Sequence, residues 1–379
     1  MAAKRTLEQQ IAVFGESGSG KTVLLSSFYG ALQEPAFLDR SVYRVSADDV
    51  GQGIRLHSNY LGMRDDGRRP ALTAFASTAY RFSATFRGTS PKKAAVDALR
   101  LVWHDYPGEW FAESPSSPTE QRRRADTFRS MLGADVALLL VDAQRLIDEA
   151  GQEEKYLRLL LTNIRNGMLS LRDELLPDGK PLQDFPRIWV LALSKSDLLP
   201  DMDVYAFRDL VVGKAGSDLD ALRRAVEELV ESTEALSLGQ DFVLLSSARF
   251  DAGTIRVSDR VGVDLVHPMA AVLPLETHVR WASLKTLPSK VADALLGSVD
   301  GMAGVLAGHK LPLPGPLGLL VGLLGPDVAK AAAELAGGKL KDAHATALRR
   351  KEYAAATLAA FKMALERAEK DKVLLRSPR

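Results

Sequence analysis

The chain has 379 residues, which is long enough for one large domain with insertions or for two domains. Its 49 lysines and arginines nearly balance 48 aspartates and glutamates, so the overall charge gives no case for nucleic-acid binding. The lack of cysteine excludes disulfides, thiolate metal sites and thiol nucleophiles, and is compatible with a reducing cytoplasm. Residues 1–10 contain no apolar h-region, so we expect no secretory signal and a cytoplasmic protein.

A phosphate-binding loop follows the apolar run at residues 11–14. The octet at residues 15–22 reads Gly-Glu-Ser-Gly-Ser-Gly-Lys-Thr, which matches the Walker A motif and is far stricter than a lone GxGxxG. Its three glycines are all expected to take positive φ, so that backbone N–H groups surround the phosphates. Lys21 would reach the β- and γ-phosphate oxygens, and Thr22 would coordinate Mg²⁺. The predicted phosphate-binding residues are Gly15, Glu16, Ser17, Gly18, Ser19, Gly20, Lys21 and Thr22.

The segment after the octet begins as a helix and ends as a hairpin. Apolar residues at helical spacing after Thr22 predict a helix whose N-terminus faces the phosphates. About residues 34–72 mix short apolar pieces with charged turns, which indicates a long insertion before the first nucleotide-sensing switch. Residues 79–86 alternate at period two and residues 99–104 follow across a turn, so the pair predicts a β-hairpin that leads into Asp105.

The middle of the chain alternates helices and buried strands. Continuous apolar runs such as residues 136–141 are typical of strands buried in a parallel sheet. The alternation predicts an α/β fold: a doubly wound P-loop NTPase sheet of the Ras-like G domain type, with helices on both faces and an antiparallel edge from the hairpin. The predicted segments are helices at 116–132, 154–175 and 218–233 and strands at 136–141, 188–193 and 242–245.

The pattern changes after about residue 253. A short hairpin is predicted at 254–266, a closing helix at 275–296 and two helical stretches within 329–372. We therefore divide the chain into a nucleotide-binding domain at 1–296, an apolar Pro/Gly-rich connector at 297–326 and a mostly helical C-terminal extension at 327–379.

The connector contains an uncharged stretch at residues 311–326. It is too short and too rich in proline and glycine for a spanning helix, which needs about 20 apolar residues. Three interpretations stay open: a buried connector, a segment of residues 302–326 that inserts into a membrane or a partner, and a mobile linker.

Residues 194–197 read Ser-Lys-Ser-Asp and end a predicted buried strand, in a near match to the Asn/Thr-Lys-x-Asp element of GTPases. The carboxylate of Asp197 would accept hydrogen bonds from guanine N1–H and the exocyclic amine, which adenine does not offer. Lys195 would lie over the base plane. Ser194 keeps a hydroxyl but lacks the amide, which leaves its contact with the phosphate loop in question. The alternative is that this tetrapeptide only caps the next helix.

A second element supports guanine over adenine. Residues 246–249 read Ser-Ser-Ala-Arg after another predicted strand and resemble the Ser-Ala-Lys loop of GTPases. That loop meets guanine through backbone N–H groups, so Ser247 and Ala248 are the predicted contacts.

The predicted γ-phosphate sensor lies at the end of the hairpin. Asp105 would hold Mg²⁺ through water, and the N–H of Gly108 would bond the γ-phosphate. Glu109 stands where many signalling GTPases carry a water-orienting glutamine. Its carboxylate would position or deprotonate water, yet it would also repel the γ-phosphate. We assign it a catalytic role as a hypothesis.

The other switch needs a threonine that reaches Mg²⁺ and the γ-phosphate. Thr73 is the better candidate for this catalytic and metal-binding role, and Thr78 is the alternative. The arginine run at residues 122–124 offers either an arginine finger or a solvated helix face.

Residues 105–111 read Asp-Tyr-Pro-Gly-Glu-Trp-Phe after an apolar strand. This segment resembles the Asp-Tyr-Pro-Gly-Glu-Trp element of the YcjX-like bacterial P-loop GTPases, and it is similar to the related double-GTPase type domains of the TRAFAC class. The tryptophan makes the resemblance specific, because generic GTPase chemistry does not require it. The resemblance covers about residues 10–296. It implies a cytosolic GTP-binding switch with slow intrinsic hydrolysis in a bacterial stress or conflict response.

The leading hypothesis is a regulatory GTPase, in which water attacks the γ-phosphate while Lys21, Mg²⁺ and backbone N–H groups stabilise the transferring group. Two alternatives stay open: a P-loop ATPase, and a nucleotide-regulated membrane or complex scaffold with little turnover. The expected partners are GTP or GDP and an unidentified protein effector. Self-association and a peripheral membrane contact through residues 302–326 also stay open.

Overall fold

The computed structural model describes residues 7–41, 43–70, 78–86, 97–105, 110, 116–176, 179–182, 188–231, 236–251, 254–284 and 350–377. The predicted connector lies outside these residues. The strands are β1 Leu7–Phe14, β2 Tyr43–Ala47, β3 Thr78–Phe86, β4 Asp97–Asp105, β5 Val136–Asp142, β6 Ile188–Ser194, β7 Ser237–Leu245, β8 Arg249–Asp251, β9 Thr254–Arg256 and β10 Leu374–Leu375. The helices are α1 Lys21–Ala31, α2 Pro35–Arg40, α3 Val50–Asp66, α4 Pro118–Leu132, α5 Ala143–Asp148, α6 Glu153–Ser170, α7 Arg172–Leu175, α8 Val204–Glu227, α9 Val266–Leu284 and α10 Arg350–Lys370.

The strands form one mixed sheet in the order β10-β7-β6-β5-β1-β4-β3-β2, beside a separate β8-β9 hairpin. Strands β7, β6, β5, β1 and β4 are mutually parallel. Strands β3 and β4 pair antiparallel, so the predicted hairpin is confirmed. The doubly wound α/β prediction is confirmed as well, because helices cover both faces of this parallel centre.

Two apolar cores explain why the central strands are apolar along their whole length. Successive residues of β1 point to opposite faces: Ile11 and Val13 enter one core, and Ala12 and Phe14 enter the other. The first core contains α1, α9 and α10, and the second contains α4, α6 and α8. Every residue of β5 and β6 is buried. The carboxyl ends of these strands are thereby held along one edge.

The region before the first switch contributes one strand, β2, and two helices, α2 and α3, to the fold. Strand β2 pairs antiparallel with β3 at the edge of the sheet. Helix α3 packs on α1, where Tyr60 is 2 % exposed. A Cβ at Gly30 would lie 2.0 Å from Cγ of Tyr60, so only glycine allows this close approach.

Several predicted boundaries are wrong, among them the start of β7, which is Ser237 rather than residue 242. Helix α8 begins at Val204, well before the predicted 218, after Asp203 caps its N-terminus by accepting from the N–H groups of Tyr205 and Ala206. Two glycines and a kink at Ala215, where φ is −141°, interrupt the helix. The sequence pattern therefore predicted only its second half. The later hairpin is β8-β9 at 249–256 rather than 254–266, and α9 begins at 266 and passes through Pro274.

The C-terminal residues complete the same fold. Helix α10 packs on α9, and β10 pairs antiparallel with β7. The side chain of Arg376 bonds Glu276 of α9 at 3.0 Å and Glu369 of α10 at 2.8 Å. No helix among the described residues is both long and apolar enough to cross a membrane.

Candidate nucleotide-binding site

The octet joins β1 to α1 at the carboxyl edge of the sheet. Gly18 and Gly20 have φ of 80° and 91°, as predicted for a loop that turns its N–H groups inward. Gly15 does not take positive φ, so that part of the prediction is wrong. A Cβ there would lie 2.7 Å from Oγ of Ser19 and 3.0 Å from Cβ of Leu140. Glycine is therefore required at position 15 because a side chain would not fit there, and not because the backbone needs a positive φ.

Lys21 is folded over the loop. Its side chain is buried, and its Nζ donates to the carbonyl oxygens of Gly15 at 2.7 Å and Glu16 at 2.9 Å. These contacts hold the ammonium on the inner side of the loop, at the N-terminus of α1. A cation and a helix N-terminus at one point form a site suited to phosphate.

Asp105 is the last residue of β4, which lies next to β1 in the sheet. It is 4 % exposed. Its register partner in β3 is Thr78, the alternative switch threonine. Hydroxyl and carboxylate oxygens are the ligands that Mg²⁺ prefers, so Thr22 and Asp105 fit the predicted metal. The other predicted residues of the two switches, Thr73, Gly108 and Glu109, lie outside the described residues.

The arginine run on α4 divides into two kinds of side chain. Arg122 and Arg123 are exposed and line a cleft of about 510 Å³ together with Asp105. Arg124 is 4 % exposed, donates from Nη1 to the carbonyl of Trp110 at 3.0 Å and lies over its ring at 5.5 Å. Arg124 thus holds Trp110, which directly follows the proposed catalytic residue Glu109 in the sequence.

His104 lines the same cleft beside Asp105. Its Nε2 lies 3.0 Å from Oε1 of Gln10. Burial and, to a smaller extent, the nearby Arg81 together lower the pKa of His104 to about 4, so the imidazole is neutral at physiological pH.

The predicted base-recognition residues converge on the neighbouring strand ends. Asp197 Oδ1 accepts a 2.7 Å hydrogen bond from Oγ of Ser246, which also donates to the carbonyl of Ala248 at 3.1 Å. Ser194 instead donates to the carbonyl of Val141 at 3.2 Å. These contacts join residues 194–197 to residues 246–248, as the guanine hypothesis requires.

Sequence reasoning missed Asp142, the last residue of β5. Its carboxylate accepts a 2.7 Å hydrogen bond from Nζ of Lys195, which takes a left-handed φ of 55°. Its backbone N–H donates to Oη of Tyr156 at 2.9 Å. An acidic residue at the carboxyl end of a central strand was the available signal, since strand ends of this kind carry ligand-binding groups.

The side chain of Glu16 approaches α5. Its Oε2 lies 3.8 Å from Nη2 of Arg145. Burial raises the pKa of Glu16, and Arg145 opposes that rise. The phosphate-binding loop therefore carries a half-buried carboxylate, Glu16, beside the guanidinium of Arg145 on α5, the helix that follows β5.

A Walker A loop at the head of a doubly wound sheet, with a carboxylate at the following strand end, defines the P-loop NTPase fold. Residues 9–235 match the family model described as Double-GTPase 2. Because this match covers more than half of the chain, the protein belongs to the Double-GTPase 2 family, which confirms the double-GTPase resemblance. No curated protein matches the chain at a significant level.

Similarity to solved structures is weaker. The GTP-bound S. cerevisiae Ski7 GTPase-like domain is 14% identical with a TM-score of 0.30, over 64% of this chain and 44% of that one, so this chain spans less than half of the Ski7 chain. The dynein light intermediate chain's conserved domain is 12% identical with a TM-score of 0.24, over 69% and 73%. GDP-bound Methanosarcina barkeri Roco2 RocCORdC is 10% identical with a TM-score of 0.24, over 98% and 95%. Scores of this size assign no ligand or partner to this chain.

Proposed function

We propose that this protein is a Mg²⁺-dependent GTPase switch that prefers guanine through Asp197. The observation that carries the proposal is the convergence of Asp197 and the Ser246 loop on the edge that holds the Walker A loop. Oδ1 of Asp197 accepts a hydrogen bond from Ser246, which orients the carboxylate. The lone pairs that this bond leaves unused would accept hydrogen bonds from guanine N1–H and N2–H. Membership of the Double-GTPase 2 family supports the same nucleotide.

In the proposed reaction water attacks the γ-phosphate in line. Lys21 leaves the carbonyls of Gly15 and Glu16 and donates to the β- and γ-phosphate oxygens, while the N–H groups of the loop stabilise the transferring charge. Bound Mg²⁺ would supply charge neutralisation between those phosphates, held by Thr22 and Asp105. We keep Thr73, Gly108 and Glu109 as the proposed switch residues. Slow intrinsic turnover also belongs to the proposal.

The biological setting is proposed from the resemblance alone. We infer a cytosolic switch in a bacterial stress or conflict response that acts on a protein effector. Peripheral membrane contact through residues 302–326 stays a second proposal, and flotation with liposomes of the full chain and of a chain without these residues tests it. Recruitment that is equal in both chains, or absent in every nucleotide state, would contradict the membrane contact.

The base is tested by titrating the purified chain with fluorescent GDP and ADP. We expect GDP to bind more tightly, and Asp197→Asn to remove that preference. Asp209→Asn, which changes an exposed carboxylate on α8, is the matched control and should bind as the wild type does. Equal affinity for GDP and ADP in the wild type would instead favour the ATPase alternative.

Turnover is tested separately by phosphate release from GTP over many cycles. Lys21→Ala should abolish release while the chain keeps its fold. Nucleotide binding without release above the Lys21→Ala background would favour a nucleotide-regulated scaffold.

A further inference from the structure

The hydroxyl of Ser194 is used within the sheet. It donates to the carbonyl of Val141, and Ser194 is 6 % exposed. The tetrapeptide at residues 194–197 therefore lacks the amide of the usual GTPase element, and in the described part of the chain the side chains of Ser194, Lys195 and Asp197 bond Val141, Asp142 and Ser246 rather than the octet. If the phosphate loop and the base-recognition segment act together, another set of contacts must join them.

Such contacts begin at Glu16, the second residue of the octet. Its side chain is 23% exposed and its Oε2 lies 3.8 Å from Nη2 of Arg145 on α5. That oxygen is enclosed and accepts no hydrogen bond within the described part of the chain. An enclosed carboxylate oxygen without a hydrogen bond depends strongly on the nearest cation.

Arg145 is connected to the base-recognition segment through Tyr156 and Asp142. Its guanidinium lies over the ring of Tyr156, 5.9 Å from the centroid. The Oη of Tyr156, a residue that is 2 % exposed, accepts from the backbone N–H of Asp142. The carboxylate of Asp142 accepts from Lys195. Each link is a direct contact, so the octet and the Ser-Lys-Ser-Asp segment are physically continuous.

We propose that Glu16, Arg145, Tyr156, Asp142 and Lys195 form a relay that holds the phosphate loop in register with the base-recognition segment. Arg145 is the positioning residue at its centre, and the relay replaces the amide that Ser194 lacks. This inference rests on the proposed function, because it assigns these residues to guanine nucleotide retention. Asp197 still decides which base is bound.

A simpler electrostatic account makes the opposite prediction for Glu16. Glu16 is a negative charge on a loop that binds phosphates, and Asp142 and Glu149 are close enough to raise its pKa. If Glu16 acted only as a charge, its neutralisation would strengthen phosphate binding. In the relay its neutralisation leaves Arg145 paired with Glu149 alone, at 3.5 Å, so Arg145 no longer holds the octet and nucleotide retention weakens. The sign of the effect therefore separates the two accounts.

The experiment measures the dissociation rate of fluorescent GDP from the full-length chain in stopped flow. We expect Glu16→Gln and Arg145→Ala each to accelerate dissociation by about two- to five-fold, the range of a partly exposed ion pair. The double variant should be no faster than the faster single variant, since both remove one link. Tyr156→Phe, which keeps the ring, should also accelerate dissociation. The ratio of GDP to ADP affinity should not change.

Arg208→Ala is the matched control. Arg208 also pairs with a carboxylate, Asp209 at 2.6 Å, and lies over a tyrosine ring, Tyr205 at 5.7 Å, yet it belongs to α8. It should leave GDP dissociation unchanged, and Arg145→Lys should recover part of the retention lost in Arg145→Ala. Slower dissociation from Glu16→Gln, or wild-type rates in Glu16→Gln and Arg145→Ala, would overturn the relay while guanine preference stands. If the wild type binds GDP no more tightly than ADP, the proposed function itself is overturned.

Discussion

Ser246 and Asp197 are 49 residues apart in sequence and share a 2.7 Å hydrogen bond at the carboxyl edge of the sheet. Ser246 is 1 % exposed, and its single hydroxyl proton lies between the carboxylate of Asp197 at 2.7 Å and the carbonyl of Ala248 at 3.1 Å, of which the carboxylate is the closer acceptor. The bond fixes one carboxylate oxygen and thereby the direction of the other. The parallel pairing of β6 with β7 makes the contact, because it brings the segments that follow these two strands side by side.

Ser246→Ala should weaken GDP binding. Loss of a hydrogen bond to a charged group costs about 1.5 kcal/mol, which corresponds to roughly a ten-fold rise in the dissociation constant measured with fluorescent GDP. Ser258→Ala is the control, because Ser258 donates to Asp259 at 3.0 Å on an exposed turn. Equal GDP affinity in Ser246→Ala and the wild type would show that Asp197 is oriented by other contacts.

Gly15→Ala should abolish nucleotide binding through crowding. The new Cβ would lie 2.7 Å from Oγ of Ser19, so the loop must shift. Removal of that hydroxyl in the double variant Gly15→Ala/Ser19→Ala should restore part of the GDP affinity, although the contact with Leu140 at 3.0 Å remains. Gly62→Ala, where the structure leaves open space, should bind GDP normally. Failure of the Ser19 change to restore any affinity would contradict this explanation.

The site residues at the strand ends could be predicted from the sequence because they belong to local sequence patterns. The octet, Asp105 and Asp197 each follow an apolar run, and parallel strands place such residues at one edge. The predicted positive φ at Gly15 was wrong because a glycine can also be required by close neighbours of its Cα, here Ser19 in the same loop and Leu140, which is distant in sequence. The positions of Thr73 and Glu109 stay predictions.

Other features depend on pairing between distant segments. Strand β10 has only two residues, and it exists because it meets β7 across more than a hundred residues. The contact between Asp142 and Lys195 likewise requires β5 and β6 to be in register. The role of Arg124 was hidden for a different reason: an arginine run on a helix is usually solvated, and burial of one member against Trp110 is a tertiary effect.

Arg124→Ala should destabilise the fold. It removes a buried hydrogen bond to the carbonyl of Trp110, a contact with its ring and an ion pair with Glu120 at 2.6 Å, so we expect the free energy of unfolding to fall by about 2 kcal/mol. Denaturant titration measures the change. Arg122→Ala, on the exposed side of the same helix, should change it by less than about 0.5 kcal/mol. Similar losses in the two variants would mean that Arg124 is not the anchor of Trp110.

His267 should make the fold sensitive to acid. It is fully enclosed between Tyr43 of β2 and Phe361 of α10, with ring centroids at 5.8 Å and 4.9 Å, and neither ring nitrogen has a hydrogen-bond partner in the described residues. Burial lowers its pKa to about 4. The unfolded chain, where the pKa is about 6.5, binds the proton more readily, so stability present above pH 6.5 is lost as the pH falls toward 4.

This single site should lower the free energy of unfolding by about 2 kcal/mol between pH 8 and pH 5. His267→Phe keeps an aromatic ring between β2 and α10 and removes the titration, so its loss of stability over the same interval should be smaller by about that amount. Denaturant titrations at the two pH values measure both differences. A His267→Phe variant that loses as much stability as the wild type would show that the acid response arises at other groups.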